Sequence, residues 1–385
     1  MTKANPAESL PDDLLERIAA RAPGYDADNA FCAEDLDELR AAGYLRLGAP
    51  AEQGGADLGL AATAAVQRRL AQAAPATALG LGMHQVWVQA ARAVTARGGS
   101  FLQTVTDHAA DDHLLAFGVS EPGNDAVLFD STTTAEPDGA GGYRFTGTKV
   151  FTSLAPAWDV LSVFGKDASS AEPRLVHGFV LRSDGDVEHL DDWDTLGMRA
   201  TQSRTTRLHG VHVPADRIVR SLPVGPNQDP LVFGVFAAFE LLVASVYVGI
   251  AERAIDLAVA AVRQRRALDG TPRAEDPDVR RAVADARGAV DAVELQVSSL
   301  ARSVDELDDL GARWFPLLVG TKARAVDTAQ HVVDEAMRVV GGGAYRTTSE
   351  LARLARDVRA GQYHPSSRDS AARTIATSVL GPLPD

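Results

Sequence analysis

The sequence predicts an α+β chain in three successive parts: an N-terminal helical domain, a central β barrel or sandwich, and a C-terminal four-helix bundle. Three observations predict it. Apolar residues recur at helical spacing up to about residue 112, and short β-branched runs alternate with turn-prone segments from 113 to 229. From 230 to 385 long helical patterns return. Helices, then strands, then helices again is an order that excludes an alternating βαβ nucleotide fold.

Within 1–112, "DLDELRAAGYLRL" and "AATAAVQRRLAQAAPATALGLGMHQVWVQAARAVTARGG" carry the helical spacing, with the turn "APAEQGGADLGL" between them. The opening "MTKANPAESLPDDLLERIAARAPG" contains no apolar core of a secretory leader. Within 113–229, strands are expected at "HLLAFGVSE", "STTTAE", "GGYRFTGTKVFTS", "WDVLSVFGKD", "RLVHGFVLR" and "TTRLHGVHVP", punctuated by "EPDGAGG" and "RSDGD". Within 230–385, helices are expected over 230–267, 275–310, 314–340 and 347–361. The first begins with "PLVFGVFAAFELLVASVYVGIA", which at ~20 residues is long enough to cross a bilayer. Glu240 near its centre and the polar continuation "ERAIDLAVAAVRQRR" place it instead inside a bundle.

Composition narrows the function classes. Hydrophobic residues make up 45% and charged ones 23%, the balance of a globular protein. Lysine and arginine number 38 against 52 acidic residues, so the net charge of −14 argues against a nucleic-acid or anionic-membrane partner. The single cysteine, Cys32, cannot form an intrachain disulfide, and a cytoplasmic location is expected. The nine histidines show no metal-ligand spacing. No G-x-G-x-x-G follows an expected strand, so no built-in nicotinamide site is read.

Four spaced motifs carry chemistry: "FGVSEPGND" (117–125), "GTKVFTSLA" (147–155), "LGMRATQSRTTRLHGVHVP" (196–214) and "RVVGGGAYRTTSELARLARDVRAGQYHPSS" (338–367). With the α–β–α order, they resemble the acyl-CoA dehydrogenase superfamily of flavoproteins over nearly the whole chain. The resemblance implies FAD. It places Val119 and Ser120 against the flavin pyrimidine, although the chain is two residues shorter after Gly123 than the family pattern. It places Phe151 on the flavin ring, Ser153 near its reactive nitrogen, and the Ser367 hydroxyl against the cofactor. Gly341 and Gly342 allow close approach of the adenosine end from a neighbouring subunit. Arg266 fits a pyrophosphate-binding arginine reaching across a dimer interface, with Asp269 standing where the family has phenylalanine. A homotetramer is implied.

A dehydrogenase of this family needs a carboxylate base. Counted from Arg356 and Asp357, the base position reads Pro365, and the alternative helix position reads Phe239, with Glu240 in the place of an arginine. Proline also removes a backbone N–H that would polarise the substrate carbonyl. His364 is the candidate acid/base, expected to titrate near pH 6–7, and His84 is a second candidate, expected to point towards the cleft. Three readings stay open. One is dehydrogenation of an acyl thioester, CoA or carrier-protein bound, with an electron-transfer partner. Another is a monooxygenase on the same scaffold, taking reduced flavin from a separate reductase and oxidising a small molecule. The third is a non-catalytic flavin-binding relative.

Overall fold

The computed structural model describes residues 10–383; the first nine residues, with the start of the segment read for a leader, lie outside it. Five helices come first: α1 (Asp12–Asp28), α2 (Ala33–Ala41), α3 (Leu60–Ala73), α4 (Pro75–Ala96) and α5 (Gln103–Ala110). The long pattern read over 61–99 divides at Ala74, whose backbone is extended at φ −148°, because Pro75 opens α4 at its first helical position.

Eight strands follow: β1 (Leu115–Phe117), β2 (Thr134–Pro137), β3 (Tyr143–Thr152), β4 (Val160–Asp167), β5 (Arg174–Leu181), β6 (Val187–His189), β7 (Arg204–Val213) and β8 (Ile218–Pro223). They form one sheet in the order β6-β7-β3-β2-β4-β5-β8, with β1 added parallel to β4. The sheet curls over a core of its own built from Phe145, Trp158, Leu161, Val163, Val176, Val211 and Val213. A side chain at Gly178 on β5 would come within 3.1 Å of Val213 on β7, so strands far apart in the sheet order face each other. Of the barrel or sandwich expected, this is the barrel-like form.

The remaining helices are α6 (Pro230–Gln264), α7 (Pro277–Asp305), α8 (Trp314–Val340), α9 (Glu350–Asp357) and α10 (Arg368–Leu380). Asp229 and Asp276 cap α6 and α7, each followed by proline at the first helical position. Two expectations need correction. The helix read over 347–361 is only eight residues of α-helix, which tighten into a 3-10 turn over Val358–Gln362. A further helix, α10, lies beyond the point where the sequence reading stopped, with the Ser367 side chain accepting from the Ser370 amide as its N-cap. The most apolar stretch of α6 is 83% buried against the rest of the chain. It packs on α3 and α4 as well as α7 and α8, so the two helical regions share one core.

Candidate functional site

Several motif residues serve the fold before anything else. Glu121 of "SEPG" and Lys149 of "GTK" form a fully buried ion pair at 2.6 Å. Glu121 also accepts from Ser131, from both the amides and the hydroxyls of Thr132 and Thr133, and from Asn124. Burial alone would raise its pKa, but the Lys149 ammonium and these donors hold it well below the usual carboxylate range. Lys149 donates to the Phe164 carbonyl at 2.8 Å and lies 4.1 Å from the centre of the Phe164 ring; burial pushes it down to about 8. The pair staples the loop after β1 to β3. The Val150 amide then bonds the Ser120 carbonyl at 2.9 Å, which brings Val119 and Ser120 alongside Phe151 and Ser153.

Phe151 is unusual on two counts. It is 58% exposed, and its backbone sits at φ +58°, a conformation costly for a bulky side chain. The register between β3 and β7 shifts here, which turns the ring outward, edge-on to Trp193 at 6.3 Å. Behind it, the Ser153 and Ser203 hydroxyls meet at 2.7 Å, and Ser203 meets Thr201 at 2.8 Å. The buried Thr152 hydroxyl has no partner. An exposed aromatic face in strained backbone beside inward-facing hydroxyls fits a flat, heteroatom-bearing ring such as a flavin.

The third and fourth motifs dock on each other. A side chain at Gly197 would meet the Arg356 carbonyl carbon at 2.5 Å, and the Met198 amide donates to Asp357 at 2.6 Å. Burial raises Asp357 to about 6. Arg356 pairs with Asp26 of α1 rather than with its neighbour.

This docking sets the turn that carries His364. Its Nε2 lies 2.8 Å from the Tyr247 hydroxyl of α6. Burial of the ring and the nearby Lys322 ammonium lower His364 to about 3, so the ring is neutral near pH 7. The expected titration near pH 6–7 therefore does not belong to His364. The group raised into that range is Glu240, pushed to about 7 by burial in the middle of α6, against the opposing pull of Lys322. Glu240 accepts from the Ser366 amide and hydroxyl, and Phe239 stacks on Phe117 at 5.8 Å. Neither base position of the family pattern holds a carboxylate.

His84 does not reach a cleft. It is fully buried in the helical layer, its Nε2 donating to the Leu45 carbonyl at 2.8 Å and its Nδ1 accepting from the Leu115 amide at 3.1 Å. Burial lowers it to about 4. It joins α4 to the loop after α2 and to β1, a structural bridge. Ser367 spends its hydroxyl capping α10. Arg266 is exposed and donates to Gly270 in its own loop. Its neighbour Arg265 bonds the Val340 carbonyl, which brings this loop beside Gly341 and Gly342. At 1.5 Å per residue, these glycines lie roughly 27 Å along α8 from Lys322 and the His364 turn.

Sequence reasoning missed Tyr247, Lys322, Ser203 and Ser366. A polar signal existed for two of them. Tyr247 falls seven residues after Glu240, on the same helical face, and Lys322 interrupts the apolar run "PLLVGTKARAV".

Residues 9–99 and 241–368 match the profiles of the acyl-CoA dehydrogenase N-terminal and C-terminal domains. The chain belongs to the acyl-CoA dehydrogenase family. It is, with that family, a flavin-dependent oxidoreductase. It is 30% identical to L-evernosamine nitrososynthase of a Micromonospora species, over 96% of this chain and 88% of that one. It is 27% identical to dibenzothiophene monooxygenase of Rhodococcus qingshengii, over 91% and 88%. The structure of KijD3 with FMN and a dTDP-linked amino keto sugar superposes with a TM-score of 0.85 at 27% identity, covering 97% of this chain and 92% of that one.

Proposed function

We propose that this chain is a flavin-dependent monooxygenase that places one atom of O2 on a small molecule and releases the other as water. One observation carries the reading. The hydrogen-bonded pair Tyr247–His364 stands beside Pro365, and neither family base position, Pro365 or Phe239, carries a carboxylate. Thioester dehydrogenation on the family pattern would lack its base at both of these positions, and the neighbouring Glu240 carboxylate is taken up by the Ser366 amide and hydroxyl.

In this reading the Phe151 face, the Ser153 hydroxyl and the backbone of Val119 and Ser120 hold the flavin ring. Once bound and reduced, the flavin supplies activated oxygen. The neutral His364 imidazole, bonded to Tyr247, holds a proton at the reacting edge. The hydroxyls of Ser153, Thr201 and Ser203 form a buried hydrogen-bonded chain behind the Phe151 ring. The similarity to a nitrososynthase and to a dibenzothiophene monooxygenase supports a substrate oxidised at nitrogen or sulfur. A separate flavin reductase completes the cycle.

FAD is the family's cofactor, and its adenosine end suits the open glycines beside Arg266. Those glycines lie far along α8 from the His364 turn, so an FAD spanning both would draw on a second copy of the chain, as in a homotetramer. KijD3 takes FMN, which has no such arm. Chromatography of heat-released cofactor separates the two.

The test of the reaction is a pair of assays. Anaerobic butyryl-CoA should leave the flavin absorbance unbleached, and a reductase with NADH should support oxygen-dependent product formation from an amino sugar nucleotide or an aromatic heterocycle. Bleaching by the thioester would reverse the conclusion.

A further inference from the structure

The turn from Gly361 to Ser367 is held by two residues from other helices. Lys322 of α8 donates to three of its carbonyls, Gly361 at 3.4 Å, His364 at 3.0 Å and Ser366 at 2.9 Å. Glu240 of α6 accepts from the Ser366 amide at 3.2 Å and from its hydroxyl at 2.9 Å. Both residues are 1% exposed. Since Pro365 has no N–H, Ser366 is the first residue after His364 able to donate from its backbone. Two turns along the same face of α6, Tyr247 bonds the His364 ring itself. Gly361 permits the close approach, because a side chain there would meet Val326 at 2.7 Å and Tyr247 at 2.9 Å.

An ordinary helix end does not need this. A glycine cap satisfies the last carbonyls without burying any charge. A buried acid and a buried ammonium are a poor route to stability, because each gives up its hydration. Glu240 and Lys322 also contact Ser366 rather than each other at ion-pair distance, and the second carboxylate oxygen of Glu240 has no partner. What the arrangement does secure is the backbone on both sides of His364. We propose that Glu240 and Lys322 are positioning residues for His364, fixing the turn so that the imidazole meets the Tyr247 hydroxyl at the reacting edge. The inference rests on the monooxygenase reading, in which His364 holds the proton.

The experiment compares flavin-loaded wild type with Glu240→Leu/Lys322→Met, an apolar replacement of the buried pair that the core can accept, and with Ser366→Ala. Amide hydrogen exchange read by mass spectrometry should be faster by about tenfold or more across 361–367 in both variants, with α6 and α8 unchanged. Reoxidation of the reduced flavin by O2 should yield more free hydrogen peroxide and change rate by about tenfold, with flavin affinity as in wild type. If the pair acts through His364, adding His364→Ala to the double variant should produce no further change in reoxidation. Unchanged exchange across the turn, or losses that simply multiply, would overturn the proposal. Should the double variant not fold, Ser366→Ala decides through the same exchange measurement. A His364→Ala enzyme that reoxidises like wild type would instead count against the monooxygenase role of His364, a result separate from the exchange data.

Discussion

The Tyr247 hydroxyl and the His364 Nε2, 117 residues apart in sequence, lie 2.8 Å from each other and join the middle of α6 to the turn beyond α9. Burial holds the phenol well above its usual pKa and the imidazole down to about 3, so both partners are neutral. His364→Ala should lower turnover by about 10²-fold or more, the usual worth of a group that moves a proton, with flavin affinity unchanged. Tyr247→Phe should lower it in the same direction, because His364 then loses its partner. Steady-state rates at saturating reductase, with flavin binding measured in parallel, check both.

The ionisation of Glu240 should appear in stability. Its folded pKa of about 7 lies above the 4.5 of an ordinary glutamate, so its contribution is fully present below about 4.5 and is lost as pH rises through about 7. Wild type should therefore lose melting temperature relative to Glu240→Gln across that window. Melting curves of the two proteins from acid to neutral pH measure the difference, and parallel curves would rule it out.

Removing one partner of the buried Glu121–Lys149 pair leaves an uncompensated charge. Lys149→Met should cost about 3–5 kcal/mol in a urea unfolding experiment, because Glu121 is left buried without its counter-charge and must either stay ionised there or take up a proton. The protein should lose the order of the loop after β1 at the same time.

Phe151 is exposed and strained, so the folded chain gains little from it. Phe151→Gly relieves the positive φ and should leave the melting temperature equal or higher, since such strain is worth on the order of 1–3 kcal/mol. Flavin affinity should fall, because the stacking face is gone. A drop in stability with unchanged flavin binding would assign the ring to packing instead.

Gly197 is the docking point between the two halves of the site. Gly197→Ala would put a methyl group at 2.5 Å from the Arg356 carbonyl carbon, in contact with backbone that cannot rotate away. The overpacking should cost at least about 1–3 kcal/mol and weaken turnover by shifting the turn that carries His364. Calorimetry and the turnover assay read the two effects.

The sequence by itself determined the order of the parts, the presence of a central β region and the family, because these follow from periodicity and from motifs whose residues are adjacent in the chain. Apolar spacing showed that "PLVFGVFAAFELL" continues as a helix, and the Glu240 carboxylate inside it argued for a buried bundle helix rather than a membrane span. Val119, Ser120, Phe151 and Ser153 could be named together because two short motifs, 117–125 and 147–155, resemble the family's, and the Val150–Ser120 backbone bond brings them alongside each other. What only the tertiary structure decided is which polar residues meet across helices. Nothing local distinguishes His84, with both nitrogens bonded inside the helical layer, from His364, bonded by a tyrosine 117 residues away. Nor does local sequence show that Glu240 and Lys322 converge on one turn, since that depends on how α6 and α8 cross. The pKa of each group follows from that convergence. Burial depth and the charge of a neighbour on another helix move the titration near pH 7 from the histidine to the glutamate, and both are properties of packing.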